Sequence, residues 1–118
     1  MSLVHDRVPC AEHANYAAAK GGVSMLMKTM VQELAQYKIW VNAISPGAIE
    51  TPLNTTAWST PEVLQELFKL IPYGRTGVSE AIAKVALWLA SDDSDDVTGA
   101  TLSMDGGMVL YPSFRTGG

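Results

Sequence analysis

The stretch Ile39-Trp40-Val41-Asn42-Ala43-Ile44-Ser45-Pro46-Gly47 decides the fold. Ile39 to Ile44 is short, β-branched and aromatic, the composition of a strand, and Ser45-Pro46-Gly47 stops it. Its apolar run is nearly continuous rather than alternating, and it follows a helical pattern directly. That combination marks a parallel sheet covered on both faces, so the class is α/β. Upstream, from Asn15 to about Tyr37, apolar residues at Ala18, Val23, Leu26, Met27, Met30, Val31 and Leu34 recur at steps of three and four. This spacing predicts a long amphipathic helix with one broad buried face. Gly21 and Gly22 each cost such a helix about 1 kcal/mol relative to alanine, which suggests close packing or backbone approach there.

Downstream, Ala48 to Gly77 reads as irregular chain, with Pro52, Pro61, Pro72 and Gly74 fencing one short helix from about Pro61 to Leu70. Thr60 is its expected N-cap and Pro61 its first residue. A second long helix is expected from Ser79 to near Ser91, with Ser79 and Glu80 supplying a cap and a favourable first-turn charge. The acidic run Asp92, Asp93, Asp95, Asp96 reads as a solvated loop, because its spacing does not match a calcium cage. Val97-Thr98-Gly99 then turns the chain into a second strand, Ala100 to Met104, closed by Asp105-Gly106-Gly107. Two strands between two long helices form one crossover unit, which belongs to a larger open sheet whose remainder is expected before residue 1. The tail runs from Leu110 to the flexible pair Gly117-Gly118.

Of the 118 residues 47% are hydrophobic, as a globular core needs, and the formal charge is −4. The eight Lys and Arg are scattered, so no basic stripe forms and a nucleic-acid partner is not expected. The apolar stretches are interrupted well short of the roughly 20 residues a membrane helix requires, and no signal peptide is recognised. The single cysteine, Cys10, cannot form an intramolecular disulfide and fits a reducing compartment, so a cytoplasmic protein is expected. No metal site is expected.

Tyr16 and Lys20 lie four apart near the start of the long helix, so their side chains leave the same face. Alone this is a weak signal. It gains weight because Asn15-Tyr16-Ala17-Ala18-Ala19-Lys20-Gly21-Gly22 precedes Val41-Asn42-Ala43-Ile44-Ser45-Pro46-Gly47-Ala48-Ile49-Glu50-Thr51-Pro52, and Gly99 to Gly107 ends in Asp-Gly-Gly. These three motifs, in this order, resemble the short-chain dehydrogenases/reductases. Val4-His5-Asp6, the segment around Tyr16 and the terminal Tyr111-Pro112-Ser113-Phe114 look closest to that family's glucose 1-dehydrogenases. The resemblance covers essentially the whole chain from Val4.

It implies the C-terminal part of a Rossmann-like doubly wound parallel sheet, here two strands with two long helices and one short helix, and residues 1–118 as a fragment of one domain. It also implies hydride transfer between NAD or NADP and a sugar or other small alcohol or carbonyl compound. Tyr16 would move the proton. A phenol with a pKa of about 10 is a poor base at neutral pH, and a nearby ammonium such as Lys20 favours its phenolate. By the same resemblance Lys20 would hydrogen-bond the nicotinamide ribose, and Pro46 and Gly47 would border the cofactor. The Ile49 backbone would meet the nicotinamide amide, and the Thr51 hydroxyl would contact that amide or the pyrophosphate. Ligands of open α/β sheets bind beyond the carboxyl ends of the strands, where Pro46-Gly47 falls. Leu53 or Trp58, on the irregular segment, would cover a small substrate.

Two departures limit this reading. The family places a catalytic serine thirteen residues before the tyrosine, and that position holds Leu3, with Ser2 one residue away. Met1-Ser2-Leu3 is also compatible with a vector-derived leader, in which case the native serine lies outside the sequence. Further, the Gly-Gly pairs at 21–22, 106–107 and 117–118 do not give the Gly-x-Gly-x-x-Gly phosphate cradle. The chain alone is therefore expected to bind no cofactor and to turn over no substrate. A non-catalytic module that self-associates is the alternative, since a two-strand fragment exposes apolar faces and a sheet edge, and a homo-oligomer is expected. A third possibility is a separate chain that supplies the other half.

Overall fold

The computed structural model describes residues 1–54, 58 and 60–110. The terminal Tyr111-Pro112-Ser113-Phe114 and the Gly117-Gly118 tail singled out in the sequence lie outside the described residues. A 3-10 turn at Val4–Asp6 leads into α1 (Ala14–Leu34), which tightens into a second 3-10 turn at Ala35–Tyr37. There follow β1 (Ala43–Pro46), β2 (Ile49–Glu50), α2 (Pro61–Lys69), β3 (Gly77–Val78), α3 (Ser79–Leu89) and β4 (Thr101–Met104).

β1 and β4 pair in parallel from Ala43 opposite Thr101 to Pro46 opposite Met104. All four residues of the β1 core pattern are shielded, as a strand covered on both faces requires. The strand starts later than its composition suggests. Val41 N–H donates to the Thr98 hydroxyl at 3.1 Å, and Asn42 reaches across to the Val97 carbonyl and the Ala100 N–H. Side chains thus share the pairing before Ala43 with one backbone bond, the Gly99 N–H donating to the Val41 carbonyl at 2.8 Å, and the Ala43 N–H then meets the Ala100 carbonyl at 2.9 Å. Pro46 is tolerated because it closes the strand.

A second parallel pair, β2 with β3, sets Ile49 opposite Gly77 and Glu50 opposite Val78. The sequence predicts only two strands, since two-residue strands leave no periodicity to detect. Thr60 caps α2 as expected, accepting from the Val63 N–H at 3.4 Å. The cap expected at Ser79 is not formed. Val78 occupies the N-cap without a side-chain bond, and the Ser79 hydroxyl turns back to the Glu50 carbonyl at 3.5 Å. Asp92–Ser94 forms a 3-10 turn whose acidic side chains face solvent, while Ser94 is buried and donates to the Leu89 and Ser91 carbonyls.

Among the described residues the buried hydrophobic side chains are Val4, Met27, Ala43, Ile44 and Ile71. The broad buried face expected of α1 is not realised within this chain, where Met27 is enclosed but Met25 and Leu26 are 62% and 58% exposed. Two strands are too narrow to cover a 21-residue helix, and a second layer is needed to bury the rest. The close packing expected at Gly21 and Gly22 is likewise missing, with no atom within 4 Å of where a β-carbon would lie on either.

The first residues are nonetheless integrated. Ser2 N–H donates to the Ile44 carbonyl at 2.9 Å along the β1 edge away from β4. The Ser2 and Ser24 hydroxyls both donate to Asp6 Oδ2 and lie 2.9 Å from each other. This network ties the N-terminal turn to α1 and delivers Leu3 to the carboxyl end of β1.

Candidate functional site

The carboxyl ends of β1 and β4 interlock. Gly47 N–H donates to the Met104 carbonyl at 3.1 Å, and the two backbones approach so closely that a β-carbon on Gly47 would stand 2.7 Å from Asp105 Cα. Only glycine fits there without displacement. The Asp105 carboxylate in turn accepts from the Gly107 and Val109 N–H groups, each at 2.9 Å, an Asx-type turn that fixes the Asp-Gly-Gly corner.

Beyond Gly47 the chain runs through β2 to Thr51, where Asn54 takes over. Its Nδ2 donates to the Ile49 carbonyl at 2.8 Å and its Oδ1 accepts from the Thr51 N–H at 2.9 Å. The Asn54 N–H donates to the Thr51 carbonyl at 3.1 Å, so Thr51 to Asn54 closes as a turn whose first N–H is taken by the Asn54 side chain. Asn54 was not singled out from the sequence, although the Thr-Pro-x-Asn spacing carries the signal.

These elements wall a cavity of about 530 Å³, bordered by Leu3, Pro46, Gly47, Ile49, Thr51 and Trp58. Pro46, Gly47, Ile49 and Thr51 therefore line one cavity beside the carboxyl end of β1. Position 3 lies in the same wall, with leucine where a hydroxyl donor was sought. Ser2 does not substitute for it, because Ser2 is buried and its hydroxyl is engaged by Asp6 and Ser24. Of the two candidates for covering a substrate, Trp58 lines the cavity and Leu53 is 93% exposed. No charged side chain of the described residues contributes to the wall.

Tyr16 and Lys20 pair with each other near the start of α1, the Lys20 Nζ lying 5.5 Å from the Tyr16 ring centroid. Tyr16 is exposed and Lys20 half-buried, and neither lines the cavity. Their shared helix face follows from the four-residue spacing. Among the described residues there is no group of three side chains suited to hold a metal, and no helix is long and apolar enough to cross a membrane.

A family model described as Enoyl-(Acyl carrier protein) reductase matches residues 1–109. The 3beta-hydroxysteroid dehydrogenase 1 of Eggerthella lenta is 49% identical over 99% of this chain and 45% of its own length. Glucose 1-dehydrogenase 2 of Bacillus subtilis is 42% identical over 96% of this chain and 43% of its length. Among solved structures, a gluconate 5-dehydrogenase from Burkholderia cenocepacia, in complex with NADP and tartrate, superposes with a TM-score of 0.85 at 38% identity, covering 92% of this chain and 43% of that one. The chain thus spans less than half the length of the relatives it matches.

Proposed function

The chain belongs to the short-chain dehydrogenase/reductase family, and from that premise we propose that it carries the catalytic and nicotinamide-facing part of an NAD(P)-dependent oxidoreductase acting on an alcohol or carbonyl compound. The observation that carries the reading is the cavity at the carboxyl end of β1, where Pro46, Gly47, Ile49 and Thr51 meet. Its donor set fits a carboxamide on a flat ring. The Ile49 carbonyl keeps a second lone pair beside the bond from Asn54, Thr51 offers a hydroxyl, and Pro46 and Ile49 supply apolar surface. When bound, the nicotinamide group accepts or delivers the hydride.

The residues of this chain would do the rest. Tyr16 exchanges a proton at its phenol oxygen with the substrate oxygen. Lys20 keeps a positive charge beside that ring and is the group to reach the cofactor ribose. Asn54 presets the Ile49 and Thr51 backbone, so the amide-binding groups need no rearrangement on binding. Leu3 cannot donate to the substrate oxygen, and loss of one such donor lowers turnover by roughly 10² to 10³. With no Gly-rich phosphate cradle among its 118 residues either, the isolated chain is inactive on this reading, and the activity belongs to a longer assembly. Soaking NADP into crystals of this chain fused to a relative's Gly-rich, phosphate-binding part tests it. Density against Ile49 and Thr51 is expected, whereas binding elsewhere, or none at saturating ligand, overturns the assignment.

A second reading is favoured by a separate observation. Met25 and Leu26 on α1 and Leu87 and Trp88 on α3 are exposed apolar side chains. Such surface is a mark of association, so a homo-oligomer built through these helices is proposed alongside the enzymatic ancestry.

A further inference from the structure

We infer that Asp6 is a positioning residue for the pair Tyr16 and Lys20: through Ser24 it fixes the setting of α1 against the N-terminal turn that follows position 3. The inference rests on the cofactor reading above and concerns the geometry of the same site. Asp6 closes the Val4–Asp6 turn, and its side chain is only 3% exposed. The Ser2 and Ser24 hydroxyls both donate to its Oδ2 and lie 2.9 Å from each other. Withdrawing a carboxylate from water is unfavourable, and the best-attested use of such a buried polar group is to fix how two elements register on each other.

The Ser24 bond is not the one its helix offers. A hydroxyl inside a helix ordinarily turns to the carbonyl four residues back. Thr29 does so, bonding the Met25 carbonyl at 3.1 Å. Ser24 instead crosses to Asp6, 18 residues away.

The crossing gains its meaning from the place of Ser24 on the helix. Tyr16, Lys20 and Ser24 follow at four-residue steps, so they share one stripe of α1 that turns by about 40° per step. Lys20 and Ser24 are half-buried and Met27 is buried, which marks the side of α1 facing the rest of the chain, with Tyr16 at its border. Met27 lies about 16 Å along the axis from Tyr16, and Ser24 about 12 Å. A small tilt about Met27 is carried along that length to the phenol, and the bond to Asp6 holds the helix on the Tyr16 side of the pivot.

At its other end the same carboxylate holds the turn that begins directly after Leu3, a residue of the cavity wall. Asp6 itself does not line the cavity, so it acts only through its partners. One side chain thus spans the two pieces of chain whose separation sets how far the Tyr16 phenol stands from a substrate beside position 3.

Two measurements test this. In the 118-residue chain, nuclear magnetic resonance should show the Ser24 hydroxyl proton as a slowly exchanging signal that Asp6→Ala abolishes. The fusion to a relative's Gly-rich part is then assayed with NADP and, in parallel, glucose and decahydro-2-naphthol. Ser24→Ala should lower kcat roughly tenfold with KM for NADP held within about twofold, short of the about 10²-fold that a 1 Å misplacement costs. Ser24→Thr restores the hydroxyl and should recover kcat. The double variant Asp6→Ala/Ser24→Ala should be no slower than Asp6→Ala, as expected of residues acting through one bond. The inference is overturned by a Ser24 hydroxyl that exchanges freely in the parent chain, by unchanged kcat in Ser24→Ala, by an effect confined to the urea midpoint, or by Ser24→Thr as slow as Ser24→Ala. Any of these beside a fall in kcat for Tyr16→Phe sinks this inference alone. A parent fusion that turns over neither alcohol sinks the cofactor reading, and this inference with it.

Discussion

Gly47 sits against Asp105 so tightly that a β-carbon on it would fall 2.7 Å from the Asp105 Cα and 2.8 Å from its Cβ. The contact joins the end of β1 to the end of β4 and sets the floor from which the cavity wall rises. Gly47→Ala therefore has to push two paired strands apart. We expect a loss of about 1–3 kcal/mol, the usual cost of overpacking, read as a lower urea midpoint at unchanged slope. A variant as stable as the parent would show that the strand ends give way without penalty.

Asn54 ties the Ile49 carbonyl to the Thr51 N–H through one side-chain amide. Asn54→Ala removes both bonds and should cost about 1–2 kcal/mol, since each bond is worth about 0.5–1.5 kcal/mol and the freed groups regain some water. Asn54→Asp keeps the acceptor toward Thr51 and loses the donor toward Ile49. Hydrogen exchange should then show the Thr51 amide faster in Asn54→Ala than in Asn54→Asp. Equal exchange in the two variants would contradict the bonding described.

Asn42 spans the chain from the entry of β1 to the turn before β4, donating to the Val97 carbonyl at 2.7 Å and accepting from the Ala100 N–H at 3.1 Å. Asn42→Leu leaves both backbone groups half-buried without a partner and should destabilise by about 1–3 kcal/mol. Thermal unfolding measures it, and a neutral result would mean that water replaces the side chain.

Leu26 is more than half exposed on a helix whose apolar residues outnumber its buried ones. If α1 is an association face, Leu26→Lys shifts the chain toward monomer in sedimentation velocity at micromolar concentration, while the distant change Lys69→Ala does not. A parent chain that sediments as a monomer throughout contradicts the association reading.

The parallel pairing of β1 with β4 was legible because a covered strand announces itself by an unbroken apolar run, as Ala43-Ile44 and its neighbours do. Thr60-Pro61 was legible because capping is local chemistry. The boundary at Ala43 was not, since Ile39 to Asn42 has strand composition yet Val41 and Asn42 bond Val97, Thr98, Gly99 and Ala100, 55 or more residues away, partly through side chains. β2 and β3 escaped because two residues have no period. The exposed side of α1 escaped for another reason: periodicity records which face is apolar and says nothing of what covers it. At the candidate site, Pro46, Gly47, Ile49 and Thr51 were expected by resemblance and line one cavity, Tyr16 and Lys20 lie outside it, and Asn54 went unread though it stands three residues after Thr51. Ser2 and Leu3 could be told apart only by burial and by the bond to Ile44, because sequence offset alone leaves a serine one residue from the expected place.

The central claim of the proposal is that Tyr16 is the proton-transferring group of an NAD(P)-dependent oxidoreductase. The most direct measurement joins the portion of the Bacillus subtilis relative that precedes its matched stretch to residue 4 of this chain. Absorbance at 340 nm is then followed with NAD or NADP and, in parallel, glucose and decahydro-2-naphthol. The account predicts reduced cofactor from the chimera and a fall of at least about 10² in rate for Tyr16→Phe, the lower scale of general acid–base contributions. A folded chimera that reduces cofactor equally well with Tyr16→Phe, or that binds cofactor and reduces none with either substrate, would contradict it.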